Sequence, residues 1–497
     1  MSDLLIRRRD GTSVRLDSRE VARLADTLRG TLLTADAPTY DAVRAVWNGM
    51  IDRRPAVIVR CLDADDVAHA VRFAARHDLL VAVRGGGHNI GGLALADDAL
   101  LIDLAAMRGV QVDPARRTAR VEPGATLADF DAAAQVYGLA TPLGINSTTG
   151  VAGLTLGGGY GWLSRAYGLT VDNLHRAEVV TADGARVTAS ADENSELFWA
   201  LRGGGGNFGV VTAFTYDLHP VGPEVTAGLI VHPFDDAAAL LRRYRAAVAD
   251  APDALTAWVV LRRAPPLPFL AEAVHGQPVI VIATCWCGAA ADAARALAPL
   301  RAIGTPHADA VGPMPYVNFQ ALFDPLLVPG ARNYWKTHDF LTLDDGLIDA
   351  VVAAARTLPG PQCEIFLAHV GGAVSRLPAD ATAYAGRAAQ FVMNVHGRWD
   401  ASTDDTGFIA WARGVYEATA PWAAAGSAYV NFLTADEQDR VRSAYGANYD
   451  RLAAIKARYD PTNRFRVNQN ILPVPAPAGP NAPLGTPRAG VRTPPRS

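Results

Sequence analysis

The sequence predicts an α+β fold made of two unlike parts. In residues 1–218, short apolar strands alternate with helical segments around clusters of glycine. In residues 219–430, strands rich in valine and aromatic residues alternate with alanine-rich helices, a pattern typical of an antiparallel sheet with helices on one face. Half of all residues are apolar, so the chain can bury a large core.

Composition limits the possible classes of function. The 497 residues suffice for two domains, and the near balance of 46 basic and 50 acidic residues argues against a nucleic-acid partner. The four cysteines show neither a CxxC pair nor zinc-ligand spacing, so we expect reduced thiols and no metal site. No apolar run reaches the length of a membrane span, and the first residues are charged where a signal peptide needs an apolar core. We therefore expect a cytoplasmic protein without a membrane partner, and the oligomeric state stays open.

The first elements follow from apolar spacing and capping residues. Residues 17–30 have helical spacing, and residues 55–85 predict a strand, a helix and a second strand. Asp63 stands where it can cap that helix. Further strands, a turn at Asp113 and Pro114, and another helix are expected over residues 100–138.

The remaining elements belong to the second part and the chain end. Strands are expected at residues 227–233, 255–263, 279–286 and 363–372. A helix near the end stops at Asp460 and Pro461, and a segment rich in asparagine follows it. Residues 476–497 contain too much proline to pack into a core, so we expect them to be disordered.

Three glycine clusters, in residues 84–92, 151–173 and 201–212, suggest backbone packed closely against a ligand. Glycine lets main-chain N–H groups approach a ligand, and consecutive N–H groups form a nest that suits phosphate. The segment RGGGHNIGG is therefore a candidate pyrophosphate cradle with Arg84 at its edge, and the alternative is a tight turn between strands. It lacks the Gly-Lys-Ser/Thr of a P-loop and the spacing of a dinucleotide fingerprint.

His88 stands inside the first glycine cluster. A lone histidine in a turn is most often a hydrogen-bonded surface or core residue, and no neighbour of His88 has metal-ligand spacing. Its ring nitrogen is nonetheless a nucleophile, which can bond covalently to an electrophilic methyl group of a cofactor.

Four stretches in the right order, in residues 84–92, 150–174, 201–214 and 448–471, together resemble the bacterial berberine-bridge-enzyme-like flavoproteins of the vanillyl-alcohol-oxidase/PCMH superfamily. The resemblance runs from about residue 50 to residue 472. It implies a PCMH-type FAD-binding domain of two α/β subdomains, built from residues 1–218 and 431–475, around a substrate domain of antiparallel sheet and helices at 219–430. The implied activity is that of an FAD-dependent oxidase, which passes a hydride from a substrate C–H to flavin and then to O2, giving H2O2.

The resemblance also implies roles for single residues. His88 would carry FAD covalently at its 8α-methyl carbon. Asn146 stands where many members have a second, cysteinyl attachment, so we expect one covalent bond and no cysteinyl bond. The remaining cofactor-binding positions implied by the family are Arg84, Gly85, Gly86, Gly87, Asn89, Ile90, Thr148, Thr149, Gly150, Val151, Gly153, Gly158, Val211, Asn468 and Asn470.

The family's YxN motif implies a catalytic role for Tyr429 and Asn431, with Tyr429 assisting removal of a substrate proton. The alternative for Tyr429 is a tyrosine packed in the core. Because a free phenol has a pKa near ~10, it would need a neighbouring cation, and Arg332 or Lys336 are the candidates. Trp335, among other tryptophans, is a candidate for lining a substrate groove.

Sugar-oxidising members carry a carboxylate at the position of Ala368, beside His369. His369 either assists the base or faces solvent. This departure, together with Asn146, favours small secondary metabolites, alcohols or amines as substrates. The alternatives are a carbohydrate or oligosaccharide oxidase, a flavin dehydrogenase with a non-oxygen acceptor, and a binding or scaffold protein that keeps the fold without catalysis.

Overall fold

The computed structural model describes residues 3–425 and 428–474, so the expected disordered tail at 476–497 lies outside the described residues. The predicted α+β fold is confirmed. The described strands are β1 (Leu4–Arg7), β2 (Ser13–Leu16), β3 (Thr31–Leu33), β4 (Val57–Arg60), β5 (Val81–Arg84), β6 (Leu100–Asp103), β7 (Val110–Asp113), β8 (Thr118–Val121), β9 (Leu139–Ala140), β10 (Leu174–Val180), β11 (Arg186–Ser190), β12 (Val210–Asp217), β13 (His219–Pro220), β14 (Glu224–Pro233), β15 (Leu255–Arg263), β16 (Pro278–Trp286), β17 (Ala308–Asp309), β18 (Gly312–Pro315), β19 (Arg332–Phe340), β20 (Glu364–His369) and β21 (Phe391–Trp399).

The described α-helices are α1 (Ser18–Thr27), α2 (Tyr40–Arg44), α3 (Ala64–His77), α4 (Leu127–Gln135), α5 (Val151–Leu156), α6 (Ser164–Tyr167), α7 (Ser195–Leu201), α8 (Ala237–Ala249), α9 (Ala293–Arg301), α10 (Tyr316–Gln320), α11 (Asp345–Ala355), α12 (Ala373–Arg376), α13 (Thr406–Thr419), α14 (Val441–Tyr445) and α15 (Tyr449–Tyr459).

A four-stranded sheet in the order β3-β4-β6-β5 delivers the first glycine cluster. Strands β4 and β5 run parallel to β6, and helix α3 connects β4 with β5. The Asp63 carboxylate accepts the backbone N–H of Asp65 and Asp66, which caps α3 as the sequence predicts. Strand β5 ends at Arg84, and the chain turns directly into the glycines.

A five-stranded antiparallel sheet in the order β11-β10-β12-β8-β7 carries the second and third glycine clusters on its connections. Residues from the C-terminal segment 433–471 pack into the same core. Leu433, Leu452 and Ile471 are buried in one apolar cluster with Phe130 and Phe214.

The largest sheet has eight strands, all antiparallel to their neighbours, with seven in the order β17-β14-β16-β15-β20-β21-β19 and β18 paired to β14. Helices α8, α9, α11 and α13 cover one face, where Ile365 and Leu367 are buried. The opposite face, which carries Trp258, Phe366 and Ala368, packs in a cluster with Tyr160 and Tyr429. Alternate residues of β20 thus point to two different environments.

A buried ion pair ties the end of the chain to the third glycine cluster. The ammonium group of Lys456 donates to the Asp460 carboxylate at 2.7 Å and to the backbone carbonyls of Asn207 at 2.7 Å and Phe465 at 2.9 Å. Both charged side chains are fully buried. These contacts hold residues 465–471 against the turn that contains Asn207.

We predict that Lys456→Met lowers the free energy of unfolding by about 3–5 kcal/mol, because it leaves Asp460 as a buried charge without its cation. Urea titration followed by tryptophan fluorescence measures the effect. Arg458→Met, on the exposed side of the same helix, is the control and changes stability by less than about 1 kcal/mol. Equal stability losses in the two variants would contradict the assignment.

Candidate functional site

One cavity lies where the glycine clusters face the side of the largest sheet that helices α8, α9, α11 and α13 do not cover. Its empty space is about 1790 Å³, counting the part open to solvent. Glycine-rich backbone forms one wall, and aromatic side chains form the other. The aromatic wall consists of Trp47, Tyr160, Trp258, Trp335, Phe366, Tyr429 and Phe432.

The glycine wall is closed by direct backbone contact between two clusters. A Cβ atom on Gly86 would lie 2.5 Å from the backbone nitrogen and Cα of Gly150, so neither position has room for a side chain. Gly87 has a φ of +70°, which favours glycine. Among residues 3–425 and 428–474, no acceptor receives the backbone N–H groups of residues 85–90. They form an open row of donors of the kind that binds phosphate.

Unpartnered polar atoms point to a bound group of considerable size. The side-chain atoms Trp335 Nε1, His396 Nε2, Tyr445 Oη and Asn468 Oδ1 are buried, belong to residues that line the cavity, and have no hydrogen-bond partner in the described structure. Buried polar atoms are normally paired, so these atoms fit a site that a ligand completes. The residues present are compatible with FAD: a donor nest for the pyrophosphate, glycine-lined space for a ring system, and polar contacts along its length.

His88 lines the cavity next to the donor nest. Its Nε2 lies 3.1 Å from Thr148 Oγ1, and its ring stacks on Trp47 with centroids 5.2 Å apart. Burial lowers the pKa of His88 to about 4, against a smaller opposite effect of the Thr148 backbone. The imidazole is therefore neutral at pH 7 and keeps a lone pair for bond formation.

The structure brings most of the predicted site residues together at this cavity. Those that line it are Gly85, Gly86, Gly87, His88, Asn89, Asn146, Thr149, Gly150, Gly153, Val211, Tyr429, Asn431 and Asn468. Their contacts with a cofactor stay predictions.

Five predicted positions lie just behind the lining. Ile90 and Val151 are buried in the apolar core, and Thr148 reaches the site only through its contact with His88. Gly158 faces the ring of Tyr384, which a Cβ would approach to 2.8 Å, and Asn470 lies outside the lining as well.

Arg84 also lies outside the lining, although the sequence places it at the edge of the cradle. Its guanidinium forms a buried ion pair with Asp103, at 2.7 Å between Nη2 and Oδ2, and donates to the Val43 carbonyl. Arg84 and Asp103 are opposite residues on the paired strands β5 and β6. The arginine therefore braces the start of the glycine turn from behind.

Asn431 holds the Tyr429 hydroxyl in place. The Asn431 side-chain amide donates to Tyr429 Oη at 2.9 Å and to the Leu154 carbonyl at 3.1 Å. Gly157 makes room for this amide, because a Cβ there would lie 2.2 Å from Asn431 Oδ1. Burial raises the pKa of Tyr429 to about 12, although donors from Asn431 and the Gly159 backbone act in the opposite direction.

The cations proposed to activate Tyr429 are engaged elsewhere. Arg332 pairs with Asp405, and Lys336 lies 3.0 Å from Glu437 and 3.3 Å from Asp436. The expectation that Arg332 or Lys336 supplies a charge beside the phenol therefore finds no support in the geometry. Tyr429 is a neutral hydrogen-bonding group in this structure.

His369 neither lines the cavity nor faces solvent. It is buried on the helix-covered face of the largest sheet, where its Nε2 lies 3.0 Å from Arg165 Nη1 and its ring stacks on Phe391. Burial and the charge of Arg165 lower the pKa of His369 to about 3. Strand alternation explains the correction: His369 shares the face of Ile365 and Leu367, opposite to that of Phe366.

The residues that sequence reasoning missed lie on the aromatic wall. Trp335 lines the cavity as predicted for a groove residue, but Trp258, Phe366 and His396 were not anticipated. Glu364 lies behind His396 as its cross-strand neighbour. The sequence does show that Glu364 and Phe366 are two residues apart and therefore lie on one face of a strand. The pairing of Glu364 with His396 follows only from the register of the sheet.

Neither a cluster of metal ligands nor a membrane-spanning helix is present in the described part of the chain. Over residues 3–425 and 428–474, no group of three or more histidine, cysteine, aspartate or glutamate side chains is arranged to hold a metal ion. Over the same residues, the helices are too short or too polar to cross a membrane.

Models of two known protein domains match segments of the chain that line this cavity. The FAD binding domain model matches residues 55–190, and the model for berberine and berberine-like proteins matches residues 428–472. An FAD-linked oxidoreductase of Dictyostelium discoideum is 31% identical over 461 residues, covering 91% of this chain and 97% of that protein. The chain belongs to the berberine-bridge-enzyme-like FAD-linked oxidoreductases.

This FAD-linked oxidoreductase is also similar to (R)-6-hydroxynicotine oxidase of Paenarthrobacter nicotinovorans, with 31% identity covering 90% of this chain and 97% of that protein. The crystal structure of 6-hydroxy-D-nicotine oxidase from Arthrobacter nicotinovorans superposes with a TM-score of 0.80 at 29% identity, covering 89% and 98% of the two chains. Xylooligosaccharide oxidase from Myceliophthora thermophila superposes with a TM-score of 0.80 at 24% identity, covering 92% and 100%, which shows a shared fold.

We predict that Gly153→Val abolishes FAD binding without unfolding the protein. A Cβ at Gly153 meets no atom within 4 Å, so the added side chain projects into the cavity and not into the core. Flavin absorbance per protein measures the loss, and the melting temperature of the apoprotein reports on the fold. Gly414→Val is the matched control on the exposed side of α13, where a Cβ also meets nothing, and it should retain full flavin content.

Proposed function

We propose that this oxidoreductase is an FAD-dependent oxidase that carries its flavin on His88 through one covalent bond and oxidises small alcohols, amines or secondary metabolites. The observation that carries the proposal is the neutral imidazole of His88, set beside the donor nest of residues 85–90 in a cavity with an aromatic far wall. The family membership supports FAD as the cofactor.

The cradle residues have distinct tasks in this proposal. The backbone N–H groups of residues 85–90 bind the pyrophosphate, and the side chains of Asn468 and Tyr445 bind polar groups through their unpartnered oxygens. Gly153 leaves space for the ring system. When bound, FAD supplies the two-electron acceptor for the substrate hydride. Position 146 is an asparagine and not a cysteine, so no second covalent bond to the flavin is expected.

The aromatic wall favours a small, largely apolar substrate. Trp258, Trp335, Phe366 and Phe432 offer ring faces and edges, which exclude water and bind planar or hydrophobic groups. The relative named for 6-hydroxynicotine supports an amine or heteroaromatic substrate. The oligosaccharide oxidases share the fold at lower identity and support the carbohydrate alternative only to that extent.

Tyr429 and Asn431 act as orienting groups in this site. A phenol whose pKa is raised to about 12 stays protonated at neutral pH, so it can donate a hydrogen bond to a bound substrate. The Asn431 amide fixes the direction of that donor.

We predict that wild-type protein precipitated with acid keeps its yellow colour in the pellet, whereas His88→Ser releases all flavin into the supernatant. Serine removes the nucleophilic nitrogen and leaves the glycine backbone unchanged. Absorbance of both fractions near the flavin maximum measures the result. Complete release of flavin from the wild type would refute the covalent bond without affecting the assignment of FAD.

The activity is tested by a screen of amines, alcohols, phenolic metabolites and sugars with detection of hydrogen peroxide. We expect turnover of amines or alcohols that carry an aromatic or apolar group, with one peroxide formed per substrate oxidised. Stopped-flow reoxidation of the reduced enzyme in air separates an oxidase from a dehydrogenase. Slow reoxidation in air with rapid reoxidation by a quinone would favour the dehydrogenase.

A further inference from the structure

Four side chains form a row across four neighbouring strands of the largest sheet. Arg262 of β15 is directly opposite Glu364 of β20, Glu364 is opposite His396 of β21, and His396 is opposite Trp335 of β19. Two of the four, His396 and Trp335, line the cavity. The row therefore connects a charged pair behind the wall to a histidine at its surface.

One ring nitrogen of His396 contacts a carboxylate, and the other has no hydrogen-bond partner in the described structure. His396 Nδ1 lies 3.2 Å from Glu364 Oε1, whereas His396 Nε2 is buried and has no hydrogen-bond partner in the described structure. Arg262 Nη1 lies 2.6 Å from the other carboxylate oxygen, Glu364 Oε2. Within this row, His396 Nε2 and Trp335 Nε1 are the buried polar atoms that have no hydrogen-bond partner in the described structure.

Glu364 determines which nitrogen of His396 carries the proton. Burial disfavours its charged form, but the charge of Arg262, the hydrogen bond from His396 and the charge of Arg398 hold the pKa of Glu364 below its usual range. An ionised carboxylate accepts a proton-bearing nitrogen, so the neutral imidazole is protonated on Nδ1. Nε2 then keeps a lone pair, and no described group of the protein donates to it.

Aromatic packing fixes the ring. Trp335 stacks on His396 with centroids 4.4 Å apart and an interplanar angle of 7°, and the edge contact with Phe366 has centroids 5.1 Å apart at 82°. Rotation of the imidazole would break the stack and the Glu364 contact at the same time. Nε2 is a preorganised acceptor.

We propose that His396, oriented by Glu364, is the catalytic proton acceptor of this enzyme and that it selects substrates whose oxidised carbon bears an O–H or N–H group. This inference rests on the proposed function. When bound, FAD would accept the hydride as the substrate C–H bond breaks, and His396 Nε2 would accept the proton from the adjacent oxygen or nitrogen. A C=O or C=N bond forms in the product. The imidazolium pairs with Glu364 and then releases its proton to water.

Tyr429 and His396 have separate roles in the cavity. Tyr429 holds its proton and is fixed by Asn431, so it is suited to donate a hydrogen bond. His396 has a free lone pair and a carboxylate to stabilise the cation that results. Glu364 is the carboxylate in contact with His396, and Arg262 and Arg398 are the cations that act on Glu364.

The first test is independent of any substrate. Holoprotein labelled with ¹⁵N-histidine is examined by NMR, and the His396 signals are assigned by their loss in His396→Gln, with the exposed His175→Gln as a control for assignment. We expect the neutral imidazole of His396 to carry its proton on Nδ1, which faces Glu364. A proton on Nε2 of the neutral imidazole would overturn the proposal.

The second test uses 4-cyanophenol as a probe that carries one O–H on an aromatic ring. Saturating probe should move the His396 Nε2 resonance towards that of a protonated nitrogen, in the wild type and in Tyr429→Phe alike. An unchanged Nε2 resonance at millimolar probe would overturn the proposal.

The third test applies to a substrate found by the peroxide screen. His396→Gln should lower kcat/KM by about 10²–10⁴-fold, the range for loss of a general base, with flavin content and melting temperature retained. Glu364→Gln should act in the same direction to a smaller extent. The pH profile of kcat/KM should be the same in the wild type and Tyr429→Phe, and it should change in His396→Gln.

The outcomes separate this inference from the proposed function. Wild-type protein without FAD or without turnover of any compound contradicts the proposed function, while the tautomer of His396 and its response to the probe still decide whether a proton acceptor is present. An active wild type together with a His396→Gln variant that keeps kcat/KM within about threefold leaves the oxidase intact and overturns the role of His396.

Discussion

Direct contact between two glycine backbones is the constraint on which the rest of this structure depends. Gly86 and Gly150 approach so closely that a methyl group on either would overlap the other. That contact joins the turn after β5 to the N-terminus of α5, and the neighbouring residues 85–89 line the cavity with backbone N–H groups that no described backbone carbonyl accepts. A side chain at this junction would separate the two turns and fill the space that a cofactor needs.

The two faces of the largest sheet have different functions because strand residues alternate. One face is covered by helices and buries aliphatic side chains together with His369. The other presents Trp258, Phe366 and His396 to the cavity. The same strand, β20, therefore contributes to the stability of the core through Ile365 and Leu367 and to the site through Phe366 and Glu364.

Buried charges in this protein lie where segments distant in sequence must meet. Arg84 and Asp103 brace the first glycine turn, Lys456 and Asp460 hold the C-terminal segment against the third, and Arg262 with Glu364 supports His396. Removing one partner of such a pair leaves a desolvated charge, which makes each pair a strong local constraint. The cavity is built at the junction of these segments, so its geometry depends on all of them.

The sequence by itself determined the α+β class, the family and the cluster of glycines around His88, because these depend on local conformational preference and on motifs contiguous in the chain. It also identified Tyr429 and Asn431 as partners. Only the tertiary structure shows which charged residues lie near Tyr429: Arg332 and Lys336 form ion pairs with other residues. It also shows that Arg84 supports the glycine turn from behind and that His369 lies on the face of the sheet away from the cavity. The pairing of Glu364 with His396 depends on the register between β20 and β21, and no local sequence pattern specifies that register.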